Sequence, residues 1–349
     1  MKSIRIVGAG LMGTSIGLAL KSHGVEIQMV DSDPRRQKLA QDLVGRPPTL
    51  PPELVILAMS LASLPVVIAE EYALNPTAAF MDIGSVKTKP QLEVEKLQGM
   101  SARFCGTHPM AGREVAGPEA ARADLFDGRA WILTPSHTTQ SDVLAKVTHI
   151  VTWLNAVPIL MGVQEHDRAV ALISHLPQIS ASLLAKQLNM GAENSLALAA
   201  SGLMDSTRIA GSDPELWREI IFQNREEIRP ILQRLHEDMG EMIASLDKPA
   251  AIEKMISDGK AGRERIPGKH GSGHRNYAYL PIVIEDKAGQ LAALFAECAT
   301  AGVNIEDLSI EHSPGQFTGL ITLALAPDDV GTLSNHLLNH GWNVHAPRA

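Results

Sequence analysis

Short apolar runs alternate with segments of helical periodicity along the first part of the chain. The runs typical of buried strands lie at residues 4–7, 26–30, 54–58, 79–83, 102–105, 130–134 and 157–161, with a helical segment at 141–155. Strands that alternate with helices build a parallel sheet covered by helices on both faces. We therefore predict an α/β domain over residues 1–162.

The pattern changes after residue 162, where the strand signals end and apolar residues recur at helical spacing. Leu172, Leu176, Ile179 and Leu183 illustrate this spacing, and residues 215–243 continue it. We predict an all-helical domain over residues 163–256. Some of its segments are too apolar to stand alone, so we expect these helices to pack against a second copy in a homodimer.

Residues 257–276 have the composition of a linker, with five glycines, five Lys or Arg residues and little to bury. Beyond them, strands are predicted at 279–284, 303–311, 317–325 and 342–345, and helices at 289–300 and 328–340. This βαββαβ order is typical of a ferredoxin-like fold. We assign it to a third domain over residues 277–349.

Composition and charge exclude several classes of function. The 349 residues carry a formal net charge of −8 and no basic tract, so we expect no nucleic-acid partner. No apolar run reaches the roughly 18 residues of a membrane span, and the first strand begins too early for a secretory signal. We therefore expect a cytoplasmic protein without membrane contact.

Cys105 and Cys298 are expected to be buried, and because no HExxH motif is present we expect no metal site.

A glycine-rich loop follows the first strand. Residues 8–13 read Gly-Ala-Gly-Leu-Met-Gly, which is G-x-G-x-x-G between a strand and a helix. In this context the glycines allow a tight turn, the close approach of a pyrophosphate and close helix packing, and the helix N-terminus binds the pyrophosphate. We predict a dinucleotide-binding Rossmann domain whose cofactor contacts are Gly8, Gly10, Leu11, Met12, Gly13 and Asp31.

Asp31 ends the second strand and favours NAD over NADP as the cofactor. A carboxylate at this position hydrogen-bonds the adenosine ribose and repels a 2′-phosphate. Arg35 and Arg36 leave an alternative open, because a nearby arginine can receive that phosphate. The simpler interpretation, which we prefer, is that Asp33 and Pro34 merely start a helix on which these arginines lie.

Two neighbouring strand ends carry side chains suited to proton transfer. One apolar run ends on Gly84-Ser85 and the next leads into Gly106-Thr107-His108, followed by Glu114 six residues later. Ligands bind at the carboxyl ends of the strands of an open parallel sheet. His108 is therefore a candidate base, since an imidazole titrates near neutral pH. The alternative is an ordinary solvated or capping histidine.

The helical domain contains three further groups of polar residues. His166-Asp167 opens it, and His175 stands just before Pro177 in an apolar stretch. Arg208 lies among small and apolar residues, where a guanidinium usually needs a carboxylate. That carboxylate could belong to a ligand, or to Asp205 or Asp213 of the chain itself. A histidine in such a setting is more often structural, and a direct ligand-binding role for His175 is the alternative.

These motifs together resemble those of the prephenate/arogenate dehydrogenase family. The resemblance rests on residues 82–87, 106–112 and 174–177, on Thr207-Arg208, and on Asp213-Pro214 with Leu216-Trp217, in family order. The C-terminal segment, with residues 285–289 and 302–305, is similar to an ACT regulatory domain. The resemblance thus covers nearly the whole chain.

The resemblance implies oxidative decarboxylation of prephenate to 4-hydroxyphenylpyruvate, with reduction of NAD. His108 would accept the proton of the C4 hydroxyl, Ser85 would hold that hydroxyl in register, and Glu114 would belong to a gating network. Arg208 would bind a substrate carboxylate, with support from Asp205 and Trp217. The remaining expected substrate-binding residues are His175 and Gln178. The expected regulatory residues are Asp286 and Gly289, where L-tyrosine would act as effector; the alternative is a C-terminal domain that serves only dimerisation.

One departure from the family bears on the substrate. Many members have a second histidine at the end of the Ser-His-Leu-Pro-His motif, where this chain has Gln178. A glutamine donates and accepts hydrogen bonds but carries no charge. Arogenate, which would yield tyrosine directly, therefore remains an alternative substrate. A β-hydroxyacid dehydrogenase and a nucleotide-sensing protein are further alternatives, which a comparison of substrates would separate.

Overall fold

The computed structural model describes residues 1–113, 115–266, 277–312 and 317–348. It divides into two compact units, Met1–Asp238 and Met239–Ala349. This division differs from the predicted boundaries at 162 and 256, which stay predictions. Within the described residues, no helix is long and apolar enough to cross a membrane.

The first unit is built on a seven-stranded sheet with the order β2-β1-β3-β4-β5-β6-β7. All neighbouring strands are parallel except β5 and β6, which are antiparallel, so the prediction of a wholly parallel sheet is wrong at this one pair. The strands are β1 Ser3–Val7, β2 Glu26–Val30, β3 Leu54–Leu57, β4 Ala79–Asp82, β5 Phe104–Pro109, β6 Ala130–Pro135 and β7 Val157–Leu160.

Helices cover both faces of this sheet, as predicted. Along β3, Leu54 and Ile56 point into one apolar cluster, and Val55 and Leu57 point into another on the opposite face. This alternation follows from the two-residue period of a strand. The covering helices are α1 Leu11–Lys21, α2 Pro34–Val44, α3 Leu64–Leu74, α4 Thr88–Glu95 and α5 Ser141–Trp153.

The chain becomes helical after β7, as predicted. A π-helical segment at Ala171–His175 lies between two α-helices. Pro177 lies two residues beyond this segment and has no N–H to donate, which favours such a local change in the hydrogen-bond pattern. The helices are α6 Val163–Val170, α7 Leu176–Gln187, α8 Glu193–Leu196, α9 Ser201–Thr207, α10 Pro214–Gln223 and α11 Arg225–Ala244.

The predicted linker is wrong over its first part. Helix α12, Pro249–Glu264, runs through it, with Pro249 in its first turn and a Lys254–Asp258 ion pair of 2.5 Å along one face. Proline at a helix start and oppositely charged residues four apart both favour a helix, and here they outweigh Gly259 and Gly262. Residues 267–276 of the predicted linker lie outside the described residues.

The second unit also contains the predicted βαββαβ order, built on a four-stranded antiparallel sheet. The strand order is β11-β8-β10-β9, and the apolar core lies between this sheet and two helices. The elements are β8 Ala278–Glu285, α13 Gln290–Thr300, β9 Asp307–His312, β10 Thr318–Leu325, α14 Pro327–Asn339 and β11 Asn343–Val344.

Candidate active site

The glycine loop between β1 and α1 has the shape that a dinucleotide requires. Gly8 has φ +109°, and a Cβ there would lie 2.4 Å from the Ala58 carbonyl oxygen. A Cβ on Gly13 would lie 2.0 Å from the Gly8 oxygen. Both glycines are thus required by the packing of the loop itself.

Gly10 differs from these two glycines. Its backbone is extended (φ −82°, ψ −166°), which any residue adopts, and no atom lies within 4 Å of a Cβ built there. The packing of the protein therefore does not demand glycine at this position. The open space at the start of α1 is where a pyrophosphate would approach the helix N-terminus, beside Leu11 and Met12.

Asp31 lies beside this loop and helps to hold it. Its Oδ2 accepts the Ala9 N–H at 2.7 Å, and its Oδ1 accepts the Asp33 N–H at 2.8 Å. A carboxylate oxygen has more than one acceptor site, so the half-buried Asp31 can still accept from a ribose hydroxyl. The loop and Asp31 together fit the adenosine half of a dinucleotide.

The arginines after Asp31 belong to a helix start, the interpretation preferred from the sequence. The Asp33 side chain caps α2 by accepting the Arg35 N–H at 2.9 Å, and Pro34 is the first helical residue. The same carboxylate lies 3.2 Å from the Arg35 guanidinium and 4.0 Å from that of Arg36.

His108 lies inside β5, near its carboxyl end, rather than in the loop after it. Strands β4 and β5 are parallel, with Asp82 opposite Gly106, so the Ser85 loop and His108 come from the same edge of the sheet. Ser85 is half-buried and makes no hydrogen bond to His108 among the described residues. Glu114 lies outside the described residues.

The imidazole of His108 is held by a chain of hydrogen bonds from α6. Its Nδ1 lies 2.8 Å from His166 Nε2, and His166 Nδ1 lies 2.8 Å from Asp167 Oδ1. A carboxylate only accepts, so the His166 Nδ1 carries a proton and its Nε2 is an acceptor. His108 Nδ1 must then donate, which leaves His108 Nε2 without a proton and able to act as a base.

Asp167 is itself fixed by the start of α4. Its two oxygens accept the N–H groups of Lys87 and Thr88, each at 2.8 Å. Burial alone would raise the pKa of Asp167, but the hydrogen bonds from His166, Thr88 and Lys87 hold it below its ordinary value. The carboxylate therefore stays ionised and can orient His166.

A buried ion pair lies beneath the strand that carries His108. The ammonium of Lys87 contacts the Asp82 carboxylate and the Thr107 carbonyl, and all three residues are buried. The Thr107 hydroxyl donates to the Asp82 carbonyl at 2.6 Å and accepts from Trp131 Nε1 at 2.9 Å. These contacts fix the backbone next to His108.

Burial lowers the pKa of His108 well below its ordinary value, and the neighbouring side chains of His166, Lys87 and His175 lower it further. The carboxylate of Asp167 acts in the opposite direction but does not compensate. His108 is therefore neutral at neutral pH, the state in which it can accept a proton.

His175 is the last residue of the π-helical segment, directly before α7, and it is buried. Its Nδ1 is 3.1 Å from the Asn224 amide nitrogen, which also donates to the Asp167 carbonyl at 2.8 Å. Its ring meets Trp217 edge to face, with centroids 6.1 Å apart. Burial lowers the pKa of His175 to about 4, so it is neutral, and with Nδ1 accepting, its Nε2–H is a donor.

Gln178 is buried and lies against the turn that carries Arg208. Its amide nitrogen donates to the Ile209 carbonyl at 2.9 Å, within the 3₁₀ turn Arg208–Gly211. Arg208 is exposed at the start of this turn. The contact gives Gln178 a role in positioning the turn, in place of the charged contact that a histidine could make.

Four residues of this site had no role predicted from the sequence: Lys87, His166, Asp167 and Asn224. His166 and Asp167 stand out in the sequence as a polar pair, but only the fold brings α6 against β5. Asn224 lies between α10 and α11 with no motif around it, so no sequence signal marked it.

The predicted regulatory residues line a small cavity in the second unit. A space of about 270 Å³ is bordered by residues 284–291 together with Ile310 and Gly319. Gly289 has φ +91° and precedes α13. The Asp286 N–H donates to the Phe317 carbonyl at 2.8 Å, so this N–H is used within the fold and is not available to a ligand.

The dinucleotide loop and a neutral histidine at the same edge of the sheet define a nucleotide-dependent dehydrogenase. Two protein-family models that match the sequence define the class of dehydrogenase more closely. The prephenate dehydrogenase nucleotide-binding domain matches residues 16–160, and the prephenate dehydrogenase dimerization domain matches residues 163–256. The chain belongs to the prephenate dehydrogenase family.

Individual relatives agree with this membership. A probable prephenate dehydrogenase, NovF, from Streptomyces niveus is 30% identical, over 99% of this chain and 100% of its own. The structure of prephenate dehydrogenase from A. aeolicus in complex with hydroxyphenyl propionate and NAD+ has a TM-score of 0.67 at 28% identity, covering 75% of this chain and 97% of that one. Arogenate dehydrogenase from Synechocystis has a TM-score of 0.64 at 25% identity, covering 75% and 98%.

Proposed function

We propose that this protein is an NAD-dependent prephenate dehydrogenase, which converts prephenate to 4-hydroxyphenylpyruvate and carbon dioxide. The observation that carries the proposal is the hydrogen-bonded chain Asp167–His166–His108, which leaves His108 Nε2 free as a base at the edge of the sheet where the glycine loop lies. Family membership supplies the substrate class, and the A. aeolicus relative binds NAD+ together with a hydroxyphenyl compound.

His108 takes the proton of the substrate's C4 hydroxyl as the hydride leaves C4. A bound NAD supplies the hydride acceptor. Loss of a hydride makes the hydroxyl strongly acidic, so even an imidazole of low pKa suffices as the base. The proton on His108 Nε2 creates an imidazolium, which donates from Nδ1 to His166, and the charge is stabilised by the Asp167 carboxylate.

Carbon dioxide then leaves the ring carbon that carries the carboxylate. The electron pair of the broken bond enters the ring, which becomes aromatic, and the C4 oxygen takes its proton back from His108. The overall reaction therefore releases no net proton from this hydroxyl. Aromatisation drives the step, so the protein needs only to orient the substrate and hold the proton.

The helical region is proposed to hold the rest of the substrate. Arg208 would pair with a substrate carboxylate, and His175 would donate from Nε2 towards the same space, with its ring against Trp217. Ser85 and Glu114 keep the roles proposed from the family motifs, holding the hydroxyl and gating the site.

Arg208→Ala tests the proposed carboxylate contact. The KM for prephenate should rise by about tenfold or more with a smaller change in kcat, because a charge-assisted contact is worth roughly 1.5–3 kcal/mol. Arg218→Ala, an exposed arginine on α10, is the matched control. An unchanged KM would assign Arg208 to a purely structural role.

Prephenate and arogenate differ in the side chain, which bears a keto group in one and an ammonium in the other. Gln178 is buried, carries no charge and is engaged with the Ile209 carbonyl. It therefore offers no negative charge to an ammonium group, which favours prephenate. The deciding measurement is NADH production with prephenate, arogenate and a 3-hydroxy acid side by side. A kcat/KM higher for arogenate than for prephenate would overturn this choice.

The second unit is proposed to be an ACT-like regulatory domain. Its βαββαβ order and the cavity beside Asp286 and Gly289 support this reading. Both helices lie on one face of the four-stranded sheet, which leaves the other face for a second copy. L-tyrosine, the end product of the pathway implied by the family, is the proposed effector.

A homodimer is proposed through the helical region. Its helices expose large apolar side chains that a monomer would leave in water, at Leu172, Ile173, Leu183, Leu184, Leu216 and Phe222. Such a surface is typical of an interface, and the matching family model is that of a dimerization domain. Sedimentation of the purified protein at a single-copy mass would contradict this proposal.

A further inference from the structure

Two helices of the second unit bring together a glutamate and two histidines. Glu297 lies on α13, and His336 and His340 lie one turn apart on α14. Residues four apart on a helix share one face. The two histidines have the H-x-x-x-H spacing, which the expectation of no metal site did not take into account. The third member of the group, Glu297, lies 39 positions before His336 on another helix.

The three side chains point at one another. One ligand atom from each lies within 4.8 Å of the other two, and the His336 Nε2 is 2.7 Å from a Glu297 carboxylate oxygen. His340 Nδ1 donates to the His336 carbonyl at 2.8 Å, which leaves its Nε2 unprotonated. The two imidazole rings lie 4.3 Å apart between centroids. The cluster thus offers nitrogen and oxygen donors in a small space.

We propose that Glu297, His336 and His340 form a binding site for a divalent transition-metal ion such as Zn²⁺. Imidazole nitrogens suit Zn²⁺, Ni²⁺ and Cu²⁺, whereas Ca²⁺ and Mg²⁺ prefer oxygen donors. The ion takes the place of the proton that His336 and Glu297 share. Three protein ligands leave at least one position for water or for an outside ligand.

Metal binding at this cluster joins α13 to α14. These helices come from opposite halves of the βαββαβ unit, and both pack on the same apolar core. A ligand that binds only the folded state stabilises it in proportion to its concentration. The ion therefore stabilises the second unit, independently of the active site in the first.

The alternative is an ordinary ion pair between Glu297 and protonated His336, with His340 as a bystander. The metal site and the ion pair differ in what His340 contributes, because only the metal site uses it. His340→Ala leaves the Glu297–His336 contact in place but removes a metal ligand, so it separates metal binding from the ion pair.

Zn²⁺ titration of the full-length, chelator-treated protein by isothermal calorimetry tests the proposal. We expect one equivalent of Zn²⁺ that is lost, or bound at least tenfold more weakly, in His340→Ala and in Glu297→Gln. His236→Ala, which removes an exposed histidine of α11, is the matched control and should bind as the wild type does.

A thermal melt with and without Zn²⁺ gives a second readout. The wild type and His236→Ala should gain thermal stability with the ion, and His340→Ala should not. His340→Gln serves if the alanine variant fails to fold. Equal stoichiometry and affinity in the wild type and in the folded His340 variant would overturn the site.

Discussion

At the scale of single residues, the neutral state of His108 follows from its surroundings rather than from its chemistry alone. Burial and three neighbouring ionisable groups, those of His166, Lys87 and His175, depress its pKa. A hydrogen bond to His166 fixes which nitrogen of His108 carries the proton. The imidazole of His108 is thus neutral, with Nε2 able to accept a proton, before any substrate binds.

His108→Asn should reduce kcat by about 10²–10⁴-fold, the usual cost of losing a general base. Asparagine is polar and smaller, so NAD affinity should not change. Steady-state kinetics and NAD titration check this, with His149→Asn, an exposed histidine on α5, as control. If the variant kept more than about a tenth of wild-type turnover, His108 would not be the base.

Asp167→Asn should lower kcat at least tenfold, about 1.4 kcal/mol of transition-state stabilisation, because the imidazolium loses its carboxylate. The negative charge of Asp167 raises the pKa of His108, so its removal should lower that pKa further. The acid limb of the kcat/KM profile, which lies below pH 6.5 in the wild type because the pKa of His108 is depressed, should move to still lower pH.

The pH profile separates this role of Asp167 from a merely structural one. Asp42→Asn, at an exposed ion pair on α2, should leave both kcat and the acid limb unchanged. An acid limb of Asp167→Asn that stayed in place or moved to higher pH would contradict the hydrogen-bonded chain.

At the scale of elements, some glycines of the loop are needed for folding and another is needed for cofactor binding. Gly8 and Gly13 are close to backbone atoms, whereas Gly10 faces open space. The same motif therefore contains positions with different physical reasons for glycine.

Gly10→Ala should raise the KM for NAD by about tenfold, roughly 1.4 kcal/mol, with no change in melting temperature. The added methyl group meets the approaching pyrophosphate but no atom of the protein. Gly13→Ala is the comparison and should lose thermal stability, since its Cβ would lie 2.0 Å from the Gly8 oxygen. A destabilised Gly10→Ala with unchanged NAD binding would refute this distinction.

The π-helical segment and the start of α4 show how elements build the site. The segment ends at His175, and the N–H groups of Lys87 and Thr88 hold Asp167 in place. Free N–H groups at a helix start favour a carboxylate, here one from a different element.

At the scale of the whole molecule, the second unit is proposed to regulate the first. A protein that ends at Ile266 keeps α12 whole and removes the βαββαβ part. If L-tyrosine inhibits the full-length enzyme through the second unit, the shortened enzyme should keep its turnover and lose the inhibition.

Titration of both proteins with L-tyrosine at fixed prephenate concentration measures this difference. A tenfold change in the inhibitor concentration required corresponds to about 1.4 kcal/mol of coupling. Equal responses would mean that tyrosine competes at the active site, and the regulatory proposal would fail.

The sequence by itself determined most of the architecture. Strand and helix periods in residues 1–162 predicted the α/β domain, and the βαββαβ order was readable from the C-terminal segment. The G-x-G-x-x-G run marked the cofactor loop, and the strand ends marked His108. These features were readable because they depend on residues close together in the chain.

Three features could not be predicted from the sequence: the antiparallel pairing of β5 with β6, the helix over residues 249–264, and the residues around the base. His166 and Asp167 lie 58 and 59 positions beyond His108, and Asn224 lies 57 beyond Asp167. Hydrogen bonds between such distant residues leave no periodicity in the sequence. The contact between Glu297 and His336 likewise leaves no pattern in the sequence. The period of the sequence determines the face on which a side chain lies, whereas the packing of helices and strands determines its partner.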